Sequence, residues 1–182
     1  MTILYLGPLS PIVDWLRRDN DVVLWTDPLT PDQVKGYDWV ISYGYRHIIG
    51  KDVLNTLPNR FVNLHISYLP WNRGADPNLW SWVDDTPKGV SIHLMDAGLD
   101  TGPILAQAMC DFRDPQQETL GTSYEGLQKA MVALFKEAWS FIAPGNVVAK
   151  PQTGKGTYHR LADRPMLAKG WDTPVLELRK LL

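Results

Sequence analysis

Four short apolar runs constrain this chain more than any other feature. They are TILYLG (2–7), DVVLWTD (21–27), DWVISYGY (38–45) and RFVNLHIS (60–67). Each is long enough for one strand and too short for a core helix. Between the first two, Ser10 is placed to cap a helix with Pro11 in its first turn, and Ile12, Val13, Trp15 and Leu16 follow at helical spacing. The segment PLTPDQVKGY is too short and broken for a helix, whereas HIIGKDVLNTLP predicts one that carries an unfavourable Gly50. Apolar strands alternating with helices imply an α/β fold with a mainly parallel sheet.

The second half reads differently. DPNLWSWVDD predicts a short helix, and KGVSIHLMD and GPILAQAMCDF predict two strands joined by AGLDT. So short a connection makes a hairpin, which adds an antiparallel edge to the sheet. Residues 119–142 carry the clearest helical period, with Leu120, Tyr124, Leu127, Met131, Leu134, Phe135, Ala138 and Phe141 on one stripe. Pro144 and Gly145 stop it. PQTGKGTYHRLADRP reads as a loop, its glycines implying flexibility, and WDTPVLELRKLL as a closing amphipathic helix. No linker composition interrupts the 182 residues, so residues 1–182 are expected to form one domain, with 151–182 as a short C-terminal loop and helix.

Eighteen basic against twenty acidic residues leave a formal charge of −2, which recruits no nucleic acid through a global field. Cys110 is the single cysteine, so no intrachain disulfide forms and a cytoplasmic location is expected. The N-terminal stretch lacks a basic n-region and is broken by Gly7, Pro8 and Pro11, unlike a signal peptide or a membrane span. No Cys/His cluster suggests a metal.

Two polar residues interrupt the fourth strand. Side chains two apart on a strand share a face, roughly 6–7 Å apart, so Asn63 and His65 project together while Val62, Leu64 and Ile66 face the other way. An amide donor beside an imidazole suits a reaction that builds charge on a carbonyl oxygen and moves a proton. Asn-x-His is more often a hydrogen-bonded structural feature. A second signal, HLMDAGLDTGPI, puts Asp96 and Asp100 in the turn of the hairpin, from which a carboxylate can reach and orient His65. Turn chemistry alone accounts for Asp96 and Gly98; it accounts less well for the combination. His93, on a strand, is expected to pack beneath the site.

NLHISYLPWNRGADP followed by KGVSIHLMDAGLDTGPILAQ resembles the 10-formyltetrahydrofolate-dependent formyltransferase family, whose members act on glycinamide ribonucleotide, methionyl-tRNA and amino sugars, or form the formylation domain of gramicidin synthetase. The match is strongest over residues 61–107, and its lettering is nearest the gramicidin-type domain and small stand-alone relatives. The resemblance implies a Rossmann-like fold with flanking helices, 10-formyltetrahydrofolate as co-substrate without a metal, and Asn63, His65 and Asp100 as catalytic residues. It implies that an acceptor amine attacks the formyl carbon, that Asn63 and protonated His65 bind the oxyanion, and that Asp100 pairs with His65 and helps remove the amine proton. It places the pterin between the backbone of Arg46, His47, Ile48 and Ile49 and a wall of Asp96, Ala97, Gly98, Leu99 and Asp100. Arg73, in an exposed loop, is expected either to meet an anionic group of the acceptor or to be solvated, and Gln152, Thr157, Tyr158 and His159 are expected to contact the acceptor.

The acceptor is narrowed by absences. LGPLSPIVDW lacks the glycine-rich phosphate loop of the purine-pathway members. The sequence ends at Leu182 with a net charge of −2, so the further C-terminal domain and the polyanion substrate of the tRNA enzymes are not expected. An amino sugar, free or nucleotide-linked, is therefore expected ahead of an amino acid or a carrier-protein aminoacyl thioester. A formyltetrahydrofolate hydrolase and a non-catalytic folate- or sugar-binding module are the remaining readings. A carrier protein and a homodimer stay open as partners; nucleic acid and membrane are not expected.

Overall fold

The computed structural model describes residues 1–181. In chain order the elements are β1 (Thr2–Leu6), α1 (Pro11–Leu16), β2 (Asp21–Trp25), β3 (Trp39–Ser42), α2 (Lys51–Leu54) and β4 (Phe61–His65). There follow β5 (Arg73–Gly74), α3 (Pro77–Val83), β6 (Gly89–Leu94), β7 (Ile104–Met109), α4 (Leu120–Ile142), β8 (Tyr158–His159) and α5 (Val175–Leu178). Six strands form one sheet in the order β2-β1-β3-β4-β6-β7. The first four run parallel; β6 is antiparallel to β4, and β7 to β6. The mainly parallel sheet with an antiparallel edge is thus as the alternation of runs implies.

Alternation along the strands gives the sheet two unlike faces. Ile3, Tyr5, Ile41, Val62, Leu64, Val90 and Ile92 point to one face and pack with α1 and α4 residues such as Leu16, Leu127, Met131 and Phe135. On the other, Leu4, Leu6, Val40 and Phe61 are covered by Val34, Ile49 and Val53. Beyond Phe61 that second face turns polar. Asn63 and His65 follow at period two on β4, with His93 and Ser91 opposite them on β6 and Gln107 beyond on β7. Half of one sheet face is therefore hydrophobic core, and the other half carries donors and acceptors.

Four local expectations are corrected. The helix expected over 47–58 shrinks to the single turn of α2, because Gly50 stands at its N-cap in an extended conformation (ψ 158°) and leaves His47 to Ile49 outside it. The closing helix is split: a 3-10 turn over Gly170–Asp172 ends at Thr173, extended before Pro174, and only Val175–Leu178 is helical. Leu182, its expected last residue, lies outside the described residues. The loop after α4 contains β8, which pairs in parallel with β5 through Arg73–Tyr158 and Gly74–His159. Finally, α4 is rotated from its expected stripe: Trp139 and Ile142 are buried, whereas Phe141 is 56% exposed.

Candidate active site

Asn63 and His65 leave β4 on the polar face, as their spacing requires, and the turn after β6 carries Asp100 back over them. Asp100 is 8% exposed and sits in the left-handed region at φ 53°. Its Oδ1 accepts a hydrogen bond from Asn63 Nδ2 at 2.9 Å and lies 3.5 Å from His93 Nε2. Its Oδ2 accepts from the Gly74 amide at 2.9 Å and lies 3.7 Å from His65 Nδ1. The amide, the imidazole and the carboxylate thus converge. Burial alone raises the Asp100 carboxyl. The charge of His65, the hydrogen bond and charge of His93, and the Gly74 amide outweigh it and hold the group well below the usual carboxylate range.

The imidazoles have defined hydrogen-bond roles. His65 Nε2 meets the Asn72 carbonyl at 2.9 Å, and since a carbonyl only accepts, that nitrogen carries a proton. His65 Nδ1 faces Asp100 Oδ2 across 3.7 Å, longer than a hydrogen bond. His93 Nδ1 donates to the Leu94 carbonyl at 2.8 Å, and its Nε2 stands 3.3 Å from Asn63 Nδ2 and 3.5 Å from Asp100 Oδ1. Expected to pack beneath the site, His93 does so at 2% exposure and also joins its hydrogen-bond network.

Gly74, and several residues expected near the acceptor, hold this cluster in place. Gly74 has φ 89°, and a Cβ there would stand 2.3 Å from the His159 carbonyl oxygen, so glycine alone fits between Asp100 and β8. Gln152 Nε2 donates to the carbonyls of Asp100 and Gly102, both at 2.8 Å, while its Oε1 accepts from Arg73 Nε and Nη2 at 3.0 and 2.7 Å. Arg73, expected to meet the acceptor or solvent, therefore spends these two donors on the scaffold. Thr157 Oγ1 accepts from the Asn72 amide and donates to Asn72 Oδ1. His159 stacks on Trp80 with ring centroids 4.0 Å apart and meets Asp84 at 2.8 Å, so its ring belongs to the scaffold rather than to a ligand. Tyr158 is 55% exposed at the rim.

The two expected pterin walls differ in character. Arg46, His47 and Ile48 are exposed, while the Ile49 side chain is committed to the core, which leaves only its backbone for recognition. Asp96 is used by its own turn, accepting from the Gly98 amide at 3.0 Å and Thr101 Oγ1 at 2.6 Å; Ala97, Gly98 and Leu99 are exposed. Neither wall lines the half-open cavity of about 120 Å³ that lies beside Ile66, Asp76, Tyr124, Arg164 and Trp171. Among the described residues no His/Cys/Asp/Glu group is arranged to hold a metal, and no helix is long and apolar enough to cross a membrane.

A chain with this sheet and cluster has many relatives. Residues 31–138 match the family model described as formyl transferase. The methionyl-tRNA formyltransferase of Thermodesulfovibrio yellowstonii is 34% identical over 142 residues, 78% of this chain and 44% of the relative. That of Anaeromyxobacter dehalogenans is 33% identical over 86% of this chain and 48% of its own length. This chain spans about half the length of the curated relatives it matches. Among solved structures, the formyltransferase PseJ from Anoxybacillus kamchatkensis, in complex with UDP-4,6-dideoxy-4-formamido-L-AltNAc and tetrahydrofolate, is 42% identical with a TM-score of 0.92, covering 98% of this chain and 97% of that one. A sugar N-formyltransferase from a Shewanella species, 20% identical over 100% of this chain and 87% of that one, shares the fold at a TM-score of 0.79.

Proposed function

We propose that this chain, which belongs to the formyl transferase family, moves the formyl group of 10-formyltetrahydrofolate to the primary amine of an amino sugar carried on a nucleotide. The observation that carries the acceptor class is the likeness, 42% identical and nearly full-length on both sides, to a formyltransferase holding a UDP-linked formamido sugar and tetrahydrofolate. The convergence of Asn63, His65 and Asp100 supports the chemistry.

In this reading Asn63 and His65 supply the donors for the oxyanion that forms when the amine attacks the formyl carbon. Both now give hydrogens to neighbours: Asn63 to Asp100, His65 to the Asn72 carbonyl. The oxyanion must win one from each, a tightening that ligand-free sites commonly await. Asp100, held ionised, faces the His65 ring and orients it. A carboxylate with so low a proton affinity does not keep the amine proton; it passes it, through water, towards the departing N10 nitrogen, which leaves as the secondary amine of tetrahydrofolate. His93 positions Asn63 and Asp100 from below. The exposed backbone of residues 46–49 and 96–99 flanks the pterin.

The test is a mass-spectrometric assay of 10-formyltetrahydrofolate with UDP- and dTDP-linked amino sugars, methionyl-tRNA and aminoacyl thioesters. The methionyl-tRNA relatives favour the second reading, an aminoacyl amine. Formylation of a nucleotide-linked amino sugar supports the first; transfer only to an aminoacyl amine replaces it, and formate release with every amine refutes both. Asn63→Ala should lower kcat by about 10²–10³, the usual cost of one oxyanion donor.

A further inference from the structure

The half-open cavity of about 120 Å³ belongs to neither proposed pterin wall. Its position follows from strand alternation. Leu64 and Ile66 point to the face that α4 covers, while Ile49 and Met95 pack on the opposite one. Ile66 lines the cavity and is the next residue after His65; Asp76 lines it and stands two residues beyond Gly74, whose amide holds Asp100. A ligand in this cavity therefore sits beside the end of β4, on the side away from the loops proposed to hold the pterin.

The lining is selective. Leu79 and Ile66 are apolar, and the Tyr124 and Trp171 rings lie 5.1 Å apart at the mouth, 36% and 54% exposed. The free polar groups are the Asp76 carboxylate and the Arg164 guanidinium, with Nη1 3.7 Å from Asp76 Oδ1. Asp76 occupies the N-cap of α3, where an aspartate ordinarily bonds the first helical amides, yet its side chain makes no cap bond. Its Oδ2 is buried and has no hydrogen-bond partner among the described residues. A carboxyl oxygen buried without a partner costs stability and calls for an explanation. A ligand that brings a donor to it supplies one.

Resting on the amino-sugar reading, we infer that this cavity recognises the acceptor's pyranose ring, with Asp76 Oδ2 accepting a hydrogen bond from a ring hydroxyl or amide N–H and the C–H face of the ring resting on Trp171 and Tyr124. A sugar has both surfaces that the lining asks for: apolar C–H faces and directional donors at the edge. Asp76 is then a specificity-determining residue, and the folate site on the other face does not sense it.

Steady-state kinetics of the whole chain with a UDP-linked amino sugar test this, with UDP alone as a competitive inhibitor. Asp76→Asn keeps the side-chain shape and the left-handed backbone at φ 48°, which asparagine tolerates. The acceptor KM should rise about 10–100-fold, the size of a lost hydrogen bond to a charged group. The KM for 10-formyltetrahydrofolate and the inhibition constant of UDP should stay within about twofold. Trp171→Ala, at an exposed site that does not risk folding, should raise the acceptor KM alone. Unchanged acceptor KM in both variants overturns the inference, as does a raised UDP constant in Asp76→Asn, which makes the cavity a nucleotide pocket. If the unmodified chain formylates no amino sugar, the parent reading fails and this one with it; active enzyme with indifferent variants refutes this one alone.

Discussion

Asp100 gathers the site by offering each oxygen to one near donor and one imidazole, and its ionisation has a consequence for stability. Its folded pKa is depressed, mainly against burial, by the His65 charge and the His93 and Gly74 contacts. A depressed carboxyl stabilises the fold fully above its unfolded pKa of about 4, and that contribution disappears as pH falls through the lower folded value. Urea titrations across the acid range should therefore show Asp100→Asn with a shallower loss of stability below about pH 4 than the unmodified chain; identical slopes refute the linkage. Gly74→Ala belongs to the same cluster. A Cβ 2.3 Å from the His159 carbonyl at φ 89° should destabilise by about 1–3 kcal/mol and lower kcat through a displaced Asp100 amide contact, read by denaturant titration and assay. Asn63 and His65 were legible as one shared face from period two, while Asp100 was separated from Asp96 only by the resemblance. Asn72, the His93 bonds and the scaffold role of Gln152 were not legible, since each works through a carbonyl or a neighbour that no local pattern announces.

At the scale of elements, legibility followed hydrophobic period. The sheet strands declared themselves as apolar runs, and α4 did so over its full length. Its phase was harder, because Trp139, Phe141 and Ile142 are all apolar and only the packing of Trp39 against Trp139, ring centroids 5.5 Å apart, decides which turns inward. The two phenylalanines make that difference measurable. Phe135→Ala, fully buried, should cost about 3–5 kcal/mol, whereas Phe141→Ala, 56% exposed, should stay within about 0.5 kcal/mol; equal losses in a denaturation series mean that the helix is rotated as the period alone suggested. The pairing of β5 with β8 had no sequence signal, since two-residue strands carry no period. Gly156 was equally misleading. It marks a close approach, with a Cβ there 2.3 Å from the Pro70 carbonyl oxygen, rather than a flexible hinge.

For the molecule as a whole, one sheet serves two ligands under the proposed function, being apolar on one face and half polar on the other. Donor and acceptor would then reach the β4 terminus from opposite sides without competing for contacts. The loops proposed to hold the pterin enclose little surface: Ile48 is 90% and Leu99 48% exposed, each an apolar residue left in water by the fold. Burying them is a contribution that only binding can release. Tetrahydrofolate at a hundred times its Kd should stabilise the chain by about 2.7 kcal/mol, and so raise Tm by about 5–10 °C at this chain length. Ile48→Ala and Leu99→Ala should leave the ligand-free Tm nearly unchanged, because neither side chain supports the core, yet shrink that shift at fixed ligand concentration. Asp76→Asn, on the other side of the sheet, should preserve the folate shift in full. Differential scanning fluorimetry of the four proteins, with and without tetrahydrofolate, decides it: a shift unaffected by Ile48→Ala and Leu99→Ala removes the pterin from these loops, and one abolished by Asp76→Asn merges the two faces into a single site.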